Sequence, residues 1–415
     1  MKSVWIGCLV WSSLLVAGGR HEPEANVNSR YTVESVELSG TSESNISTGL
    51  RKDISRLIGE KLSSASLDDL ARRIRRELHV RAVTHHVTRG DTPEHVKVVF
   101  EVKGRPRSYE VSIPKFLYHA KQGWSAAAEG TVQVDQHRFT AGVVSDGDEL
   151  PERFAGFNVR YEDRHLGTDR LRFSFLAEGY HEQWNRATHL AAGEDLAFAR
   201  TSPTYRSRAN FEPTATLVLA GPLTLTVGAG FQHLETELTA ARTEAAHALI
   251  TTLRYHRRME DSGSAQQELD AGYSLRAATK FLASDYAYTR HRLSVRYSVN
   301  WGRHTLLEDA MAGFIAGRAP LFERFVLGTS STLRGWNKFD VDPLGGDRMV
   351  HNTVEYHYRL FEAFYDTGAV WTQGQTAVAR HSVGAGLRHD GIHLAVAFPM
   401  REGRVEPVFM LGMNY

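Results

Sequence analysis

One arginine and two acidic residues near the C-terminal end of the chain have the types and spacing to form a charge-paired brace. Arg334 lies in the run Leu333-Arg334-Gly335-Trp336, and Glu355 and Asp366 follow it. A guanidinium can donate paired, charge-assisted hydrogen bonds to carboxylates, and such pairs fix geometry where water is excluded. We therefore interpret Arg334, Glu355 and Asp366 as a structural brace, with direct participation in the protein's activity as the alternative. They are not candidates for acid–base catalysis.

Other patterns that could do chemistry are weak. The 20 histidines make chance proximity of serine, histidine and aspartate common, but neither Gly-x-Ser-x-Gly nor His-Glu-x-x-His occurs. Cys8 is the single cysteine, so the rest of the chain can form no disulfide and no thiolate metal site. The 49 basic and 48 acidic residues balance, which argues against a nucleic-acid partner. We predict no catalytic residue, no metal, no cofactor and no enzymatic activity.

The two acids lie in segments whose side chains alternate between apolar and polar types, as expected of β-strands with two different faces. The clearest segments are 292–301, 157–162 and 171–178, where aromatic and branched side chains alternate with arginine, serine and glutamate. The pattern begins near Tyr109 and continues to Tyr415. One face of each predicted strand is therefore apolar and the other is charged.

This alternation over residues 105–415 predicts a mainly β architecture, a transmembrane antiparallel β-barrel. A soluble β-sandwich also alternates, but some 300 residues of such strands would need several cores and linkers. A sheet closed on itself, with apolar residues toward lipid and polar residues toward a lumen, needs only one architecture. At about 19 residues per strand and turn, the segment predicts roughly 16 strands. Two segments, Tyr109–Tyr118 and Trp124–Val134, compete for the first strand.

The barrel pleat should bring the brace together inside the lumen. Glu355 and Asp366 lie on the face opposite the aromatic residues of their strands, so both carboxylates should point inward. Arg334 lies on a loop, near residues 328–347, that is long enough to fold inward. Gly335 would let this loop turn back against the barrel wall.

The first 104 residues have a different pattern. Residues 1–19 read as a secretory signal peptide, because their apolar run is too short to span a membrane and ends in small residues. Residues 20–30 form a polar spacer. Residues 31–104 predict a small α+β domain in the order strand, helix, helix, strand, strand, with the second helix beginning after Ser66. The arginine run from Arg72 to Arg76 could bind anions, but a solvated helix face explains it better.

Together these features resemble the outer-membrane protein assembly and secretion superfamily, the bacterial surface-antigen barrels typified by BamA and TamA. Residues 31–104 resemble a single POTRA domain of that superfamily. The resemblance implies that Arg334 is the family's loop arginine and that Glu355 and Asp366 are its acidic lumen partners. The residues that carry the resemblance or are implied by it are the loop motif Leu333, Arg334, Gly335 and Trp336, the strand motif with Phe364 and Gly368, and a C-terminal strand signal at Phe409, Leu411, Met413 and Tyr415.

The resemblance also implies a function. The first and last strands of such a barrel pair imperfectly, so the seam could open sideways and accept a strand of an incoming polypeptide. The expected function is insertion of proteins into, or their secretion across, the outer membrane of a Gram-negative-type bacterium, with the N-terminal domain in the periplasm. Expected partners are outer-membrane lipid, unfolded or exported polypeptides and periplasmic accessory proteins, and the barrel is expected to be monomeric. The alternative is a passive outer-membrane pore or receptor with a plugged lumen.

Overall fold

The computed structural model describes residues 30–41, 46–78, 80, 82–103, 107–134, 136–168, 170–194, 204–236, 242–260, 265–401 and 406–413. The chain divides into two compact units, Met1–Arg105 and Pro106–Tyr415. The predicted signal peptide, the spacer up to residue 29 and Tyr415 lie outside the described residues. Within the described ranges, none of the helices has both the length and the apolar character that crossing a membrane requires.

The N-terminal unit packs two helices on a three-stranded sheet, which confirms the predicted α+β fold. The central strand pairs in parallel with the first strand and antiparallel with the second. The second helix begins before the predicted start after Ser66, because Ser63 and not Ser66 caps it: the Ser63 hydroxyl accepts a hydrogen bond from the Ser66 N–H. The elements are β1 (Thr32–Ser39), α1 (Thr48–Leu57), α2 (Ser64–Leu78), β2 (Ala82–Arg89) and β3 (His95–Lys103).

The core of this unit lies between α2 and one face of β3. Leu67, Leu70 and Ile74 recur at helical spacing on α2 and are buried. They share one cluster with the alternate buried residues of β3, among them Val98 and Phe100. Burial of each such side chain contributes about 1.5–3 kcal/mol, which is how a unit of this size holds its sheet.

The second unit is a closed antiparallel barrel of 16 strands, which confirms the predicted fold class and strand number. β11 and β12 both pair with β10 and together occupy one position in the barrel. The strands are β4 (Arg107–His119), β5 (Gly123–Val134), β6 (His137–Asp146), β7 (Glu152–Asp163), β8 (Leu171–Trp184), β9 (Tyr205–Ala220), β10 (Leu223–Thr236), β11 (Thr243–Ala245), β12 (Ala248–Glu260), β13 (Ala265–Ala278), β14 (Ala287–Trp301), β15 (His304–Arg318), β16 (Arg348–Tyr358), β17 (Phe361–Trp371), β18 (Arg380–His389), β19 (Ile392–Pro399) and β20 (Val408–Met413).

Both segments that competed for the first barrel strand are strands, and Tyr109–Tyr118 comes first, within β4. Trp124–Val134 lies within β5. Among the described residues of the connections, two segments are α-helical: α3 (Arg186–Glu194) lies between β8 and β9, and α4 (Lys338–Val341) lies between β15 and β16.

The outer surface of the barrel is apolar and aromatic. On β20, for example, Phe409 and Leu411 face outward, whereas Val408 and Met410 are fully buried on the inner side. Exposure of this apolar band to water would be unfavourable, so the band is suited to contact with lipid hydrocarbon. Exposed large apolar residues occur on strands all around the barrel, including Val143, Phe157, Phe211, Leu249, Leu293, Val350 and Leu394.

The two ends of the barrel differ in their connections. At one end, here called the short-turn end, strands are joined by two-residue turns at 221–222, 302–303, 359–360 and 390–391. β4 begins at this end, because Arg107 pairs with Val134, the last residue of β5, which pairs in turn with His137 at the start of β6. At the opposite end, here called the loop end, the connections are longer, and the longest spans residues 319–347 between β15 and β16.

That connection, here called the inward loop, packs inside the barrel. Leu321, Leu327 and Leu333 have no solvent-exposed surface. They belong to one buried cluster with side chains of the barrel wall such as Tyr205 and Tyr288. The inward loop therefore fills the lumen near the loop end with a hydrophobic core of its own, and it starts before the predicted range of 328–347.

Candidate functional site

Arg334, on the inward loop, binds two carboxylates of the barrel wall. Its Nε lies 2.9 Å from Oδ2 of Asp366 and its Nη2 lies 2.8 Å from Oδ1, which is a bidentate pair. Its Nη1 lies 2.7 Å from Oε1 of Glu355. The Arg334 backbone N–H also donates to Asp366, and Thr353 donates its hydroxyl to the same carboxylate. The structure thus brings together Arg334, Glu355 on β16 and Asp366 on β17, with Asp366 fully buried.

The guanidinium of Arg334 stacks on an aromatic ring. Its Cζ lies 3.6 Å from the centroid of the Phe364 ring, within cation–π range. Burial disfavours the charged form of Arg334, but the hydrogen bond and charge of Asp366, together with the charge of Glu355, raise the pKa of the guanidinium above its ordinary value. Arg334 therefore keeps its positive charge in spite of its burial.

The backbone around Arg334 has a conformation that only a tightly packed loop would retain. Leu333 has a φ of 47° and Gly335 a φ of 89°, both in the left-handed region. A side chain is strained there, so Leu333 is held by complete burial. Gly335 lies against β19, where an added Cβ would stand 3.1 Å from Cβ of Ala397. Trp336 then packs against the guanidinium groups of Arg380 and Arg401 and donates its indole N–H to the His381 carbonyl oxygen.

Glycines on the barrel wall make room for these contacts. A Cβ on Gly368 of β17 would stand 2.9 Å from Cδ1 of Leu327, a side chain of the inward loop. A Cβ on Gly384 of β18 would overlap the Phe364 ring and lie 2.6 Å from the Val396 carbonyl oxygen. The ring that supports Arg334 therefore depends on a glycine of the neighbouring strand.

Gly384→Ala should accordingly lower the free energy of unfolding of the barrel by about 1–3 kcal/mol, because Phe364 cannot move aside without leaving Arg334. Urea titration of the refolded barrel, followed by heat-modifiable mobility in SDS gels, measures the change. The matched control is Gly130→Ala on β5, where nothing lies within 4 Å of the added Cβ. Equal stabilities of the two variants would show that the ring has room to shift.

The inward loop has a second attachment that no sequence motif marks. Asp148, in the β6–β7 connection, accepts hydrogen bonds from the backbone N–H and the hydroxyl of Ser330. Lys338, at the start of α4, is 1% exposed and donates its ammonium to the carbonyl oxygens of Gly147, Leu150 and Glu152. These partners lie far apart in the chain, so only the folded barrel reveals them.

Lys338 is buried with its charge. Burial lowers the pKa of Lys338 to about 8, although the nearby carboxylates of Glu152 and Asp148 act in the opposite direction. Its three carbonyl partners satisfy the ammonium, and among the described side chains no carboxylate lies within ion-pair distance of it. Lys338 thus fixes the inward loop to the β6–β7 connection and the start of β7 by hydrogen bonds to backbone carbonyl oxygens. These acceptors would be present whatever side chains the segment carried.

The two attachments lie on opposite sides of the barrel seam. Around the barrel, the order of strands from one to the other is β16, β17, β18, β19, β20, β4, β5, β6 and β7. Arg334 binds β16 and β17, while Ser330 and Lys338 bind the β6–β7 connection. Gln122, between β4 and β5, adds a hydrogen bond to the Gly328 carbonyl oxygen at 2.6 Å. The inward loop therefore bridges the place where the first barrel strand meets the last.

That seam is short. Among the described residues, β20 pairs with β4 over four residue pairs, from Met410 with His119 to Met413 with Phe116. β14 and β15, by comparison, pair over fifteen. On β20 the residues of the predicted C-terminal signal, Phe409 and Leu411, face outward and Met413 is half-buried. Within the part of the chain that the structure describes, few backbone hydrogen bonds close the barrel at this seam.

The described residues contain no group of three or more histidine, aspartate or glutamate side chains placed to hold a metal ion. The site is instead a set of ion pairs and hydrogen bonds around one loop. These interactions attach the inward loop to two parts of the barrel wall.

Comparison with known proteins agrees with this architecture. Solved structures with a similar fold include BamA from Haemophilus ducreyi lacking POTRA domains 1–3, with a TM-score of 0.65 and 14% identity over 92% of this chain and 84% of that one. CdiB from Acinetobacter baumannii has a TM-score of 0.54 and 12% identity over 92% and 74%. CdiB from Escherichia coli has a TM-score of 0.56 and 10% identity over 93% and 76%. At these identities the likeness is one of fold.

Comparison with curated protein sequences gives no match. Residues 123–400, however, match the Omp85 superfamily domain. That range includes the inward loop, both acidic partners of Arg334 and most of the barrel wall. The chain therefore belongs to the Omp85 superfamily.

Proposed function

We propose that this protein resides in the outer membrane and assists the insertion of polypeptides into that membrane, or their secretion across it, through the seam between β4 and β20. The observation that carries the proposal is the seam, where the described residues of β4 and β20 form four residue pairs, whereas the other neighbouring strands, apart from the three-residue β11, form at least six. Unpaired backbone donors and acceptors at a strand edge are a template for another strand. A barrel that only conducted solutes would have no use for such an edge.

The edge belongs mainly to β4. Arg107–Ser112 of β4 pair with β5, while the described pairing with β20 covers only Phe116–His119. Tyr109 and Val111 are more than four-fifths exposed on this stretch. A client strand that added to β4 would cover these side chains and complete the backbone hydrogen bonds. Because the bonds are made by backbone, the mechanism suits clients of many sequences.

The N-terminal unit offers a second strand edge. The outer edge of β1 is already occupied, since Val33 donates its backbone N–H to the Glu60 carbonyl oxygen and its carbonyl oxygen accepts from the Gly59 N–H, both in the segment that follows α1. Among the described residues, no backbone hydrogen bond reaches the outer edge of β2, and Val87 is exposed there. We propose that this unit is a POTRA domain in the periplasm and that β2 receives exported polypeptide before the barrel does.

In this proposal the short-turn end of the barrel faces the periplasm, because β4 begins there. The apolar outer band contacts outer-membrane lipid, and the barrel acts as a monomer, with periplasmic accessory proteins as further partners. Leu333, Arg334, Gly335 and Trp336, together with Glu355, Asp366, Phe364 and Gly368, hold the inward loop in place. They position the wall on one side of the seam and do not touch the client.

Folding of an unfolded outer-membrane protein into liposomes tests the proposal. Folding should be faster with the purified protein in the bilayer than without it, and a variant that lacks residues 31–103 should lose most of the acceleration. The variant's barrel must first be shown to be intact by heat-modifiable mobility. This control separates loss of client capture from loss of the barrel.

Absence of any acceleration by the intact protein would contradict the proposal for insertion. Transfer of a peptide into the liposome interior would then support secretion. Passage of small solutes alone would support the passive pore with a plugged lumen.

A further inference from the structure

Four histidines lie on the outer face of the barrel, among the exposed apolar side chains. They are His137 on β6, His291 on β14, His304 on β15 and His381 on β18. Side chains two residues apart on a strand share a face. Two positions after the four histidines are the exposed apolar residues Phe139, Leu293, Leu306 and Val383. The four imidazoles therefore face the same environment as the apolar band.

Each of these histidines is hydrogen-bonded to a tyrosine. Nδ1 of His137, His291, His304 and His381 lies 2.9, 2.7, 2.6 and 2.8 Å, respectively, from the hydroxyl oxygen of Tyr161, Tyr273, Tyr356 and Tyr365. Neighbouring rings also hold two of the imidazoles. The His291 ring stacks on Phe314 with 4.2 Å between centroids, and the His304 ring stacks on Trp301 with 5.5 Å. These contacts fix the orientation of the rings.

The pairing leaves a hydrogen-bond donor on the outer surface. A tyrosine hydroxyl that donates to Nδ1 assigns the hydrogen of the neutral imidazole to Nε2, and the protonated ring carries a hydrogen there as well. Among the described residues, no hydrogen bond reaches Nε2 of any of the four histidines. Each ring therefore presents an N–H group for which the described part of the protein supplies no acceptor.

A tyrosine between two of these histidines is satisfied differently. Tyr297 lies on the outer face of β14, between His291 and Trp301, and donates its hydroxyl to Oε1 of Gln267 on β13 at 3.0 Å. Hydrocarbon offers no acceptor, so a polar group within the apolar band must find its partner in the protein. Donors without such a partner belong at the edges of the band, where lipid oxygen atoms begin.

The spacing of the histidines along the barrel fits that position. His291 lies towards the loop end of β14, and ten residues further on Trp301 stands opposite His304 at the short-turn end. At about 3.4 Å per residue and a strand tilt of about 40°, ten residues span about 26 Å along the barrel axis. The apolar band of an outer-membrane barrel is about 25 Å tall. His137 begins β6 at the short-turn end, and His381 is the second residue of β18, at the loop end.

The same span identifies the acceptor. Acyl carbonyl oxygens lie where the hydrocarbon chains of a lipid begin, whereas phosphate oxygens lie further out, among the headgroups. With its headgroup regions a bilayer is about 40–45 Å thick, so the phosphates lie outside a span of about 26 Å. A soluble ligand would have to displace lipid to reach this face of the barrel. The acyl carbonyl oxygen is thus the acceptor at the level of the histidines.

We propose that His137, His291, His304 and His381 bind acyl carbonyl oxygens of membrane lipids through Nε2–H, with their tyrosine partners fixing the rings. The proposal rests on the residence of the barrel in a membrane, which is part of the proposed function, and not on the seam or on a client. Contacts at both edges of the apolar band set the depth of the barrel in the bilayer.

Stability in two bilayers that differ only in the ester carbonyl tests the proposal. The full-length protein is refolded into a diacyl phosphatidylcholine and into its dialkyl ether analogue of the same chain length, which keeps the phosphate and lacks the carbonyl. His291→Phe and His304→Phe keep an aromatic ring and remove the N–H. Each should lower the equilibrium constant for folding about fivefold more in the ester bilayer than in the ether bilayer, the loss of one hydrogen bond.

Tyr297→Phe is the matched control, because the hydrogen bond that it removes has its acceptor, Gln267, within the protein. It should lower the equilibrium constant by the same factor in both bilayers. Equal effects of the histidine variants in the two bilayers would overturn the proposal. If those equal effects also disappear in maltoside micelles, which contain no phosphate, the acceptor is the phosphate.

A measurement on the unsubstituted protein does not depend on how the variants fold. With ¹⁵N-labelled histidine and lipid labelled with ¹³C at the ester carbonyl, solid-state NMR should show dipolar coupling between Nε2 and the carbonyl carbon. Absence of this coupling would also overturn the proposal.

The same experiments keep this proposal apart from the proposed function. Failure of the protein to fold into either bilayer would contradict its residence in a membrane, and with it the proposed function. Folding into both bilayers, without a lipid-dependent effect of the histidine variants, would remove only the lipid contact.

Discussion

Arg334→Ala should lower the free energy of unfolding of the barrel by about 3–5 kcal/mol, the loss expected when one partner of a buried ion pair is removed. The substitution leaves Asp366 fully buried and Glu355 nearly so, without the cation that compensates both. It also removes the guanidinium from the Phe364 ring. Urea unfolding of the refolded protein in liposomes measures the stability, and the temperature of the heat-modifiable shift in SDS gels provides an independent reading.

Two further variants show whether the charges are the cause. Arg258→Ala removes an arginine that pairs with Glu268 at 3.1 Å but is three-quarters exposed, and it should cost less than about 1 kcal/mol. Adding Asp366→Asn to Arg334→Ala should recover part of the loss, because one buried carboxylate is then neutral. If Arg334→Ala and Arg258→Ala cost the same, the inward loop is not held by its arginine.

A disulfide across the seam should abolish acceleration of client folding. Tyr118 and Leu411 are directly opposite each other on β4 and β20. Opposed residues of antiparallel strands have Cα atoms about 4.5–5.5 Å apart, which a disulfide can span. With cysteines at both positions, the oxidised protein should fold clients no faster than liposomes alone. Reduction with dithiothreitol should restore the rate.

The matched control places the same bond where no opening is proposed. Leu293 and Ala312 are opposed on β14 and β15, within the fifteen-pair register. Cysteines at these positions should crosslink equally well and leave the acceleration unchanged. Full activity of the oxidised seam variant would exclude lateral opening and favour passage through the lumen.

The barrel could be predicted from the sequence because strand alternation is a local property, repeated on nearly every strand. The first strand was ambiguous for a physical reason that the structure reveals. Its register with β5 shifts between Ser112 and Lys115, around Pro114. Outward-facing residues are odd-numbered before the shift, at Tyr109 and Val111, and even-numbered after it, as at Tyr118. A bulge of this kind breaks the period on which the prediction depends.

The brace around Arg334 could be anticipated because its partners lie on strands whose faces follow from the pleat. The attachment through Lys338 could not, since its acceptors are backbone carbonyl oxygens and carry no side-chain signature. Nor could Asp148 and Ser330, which meet only because the inward loop crosses the lumen. The start of α2 was missed because three nearby serines can all cap a helix, and tertiary context decides among them.

The inward loop also limits how the barrel can move. Because it spans the seam on the inside, the gap between β20 and β4 can widen only as far as the loop stretches, unless one of its two attachments releases. Arg334 holds its side through a bidentate ion pair, whereas Ser330 and Lys338 hold theirs through hydrogen bonds to one carboxylate and to backbone carbonyl oxygens. The weaker attachment lies on the β4 side of the seam, so opening should move mainly that side. The inward loop would stay attached to the β16–β20 wall, and the β4–β7 wall would move away from both.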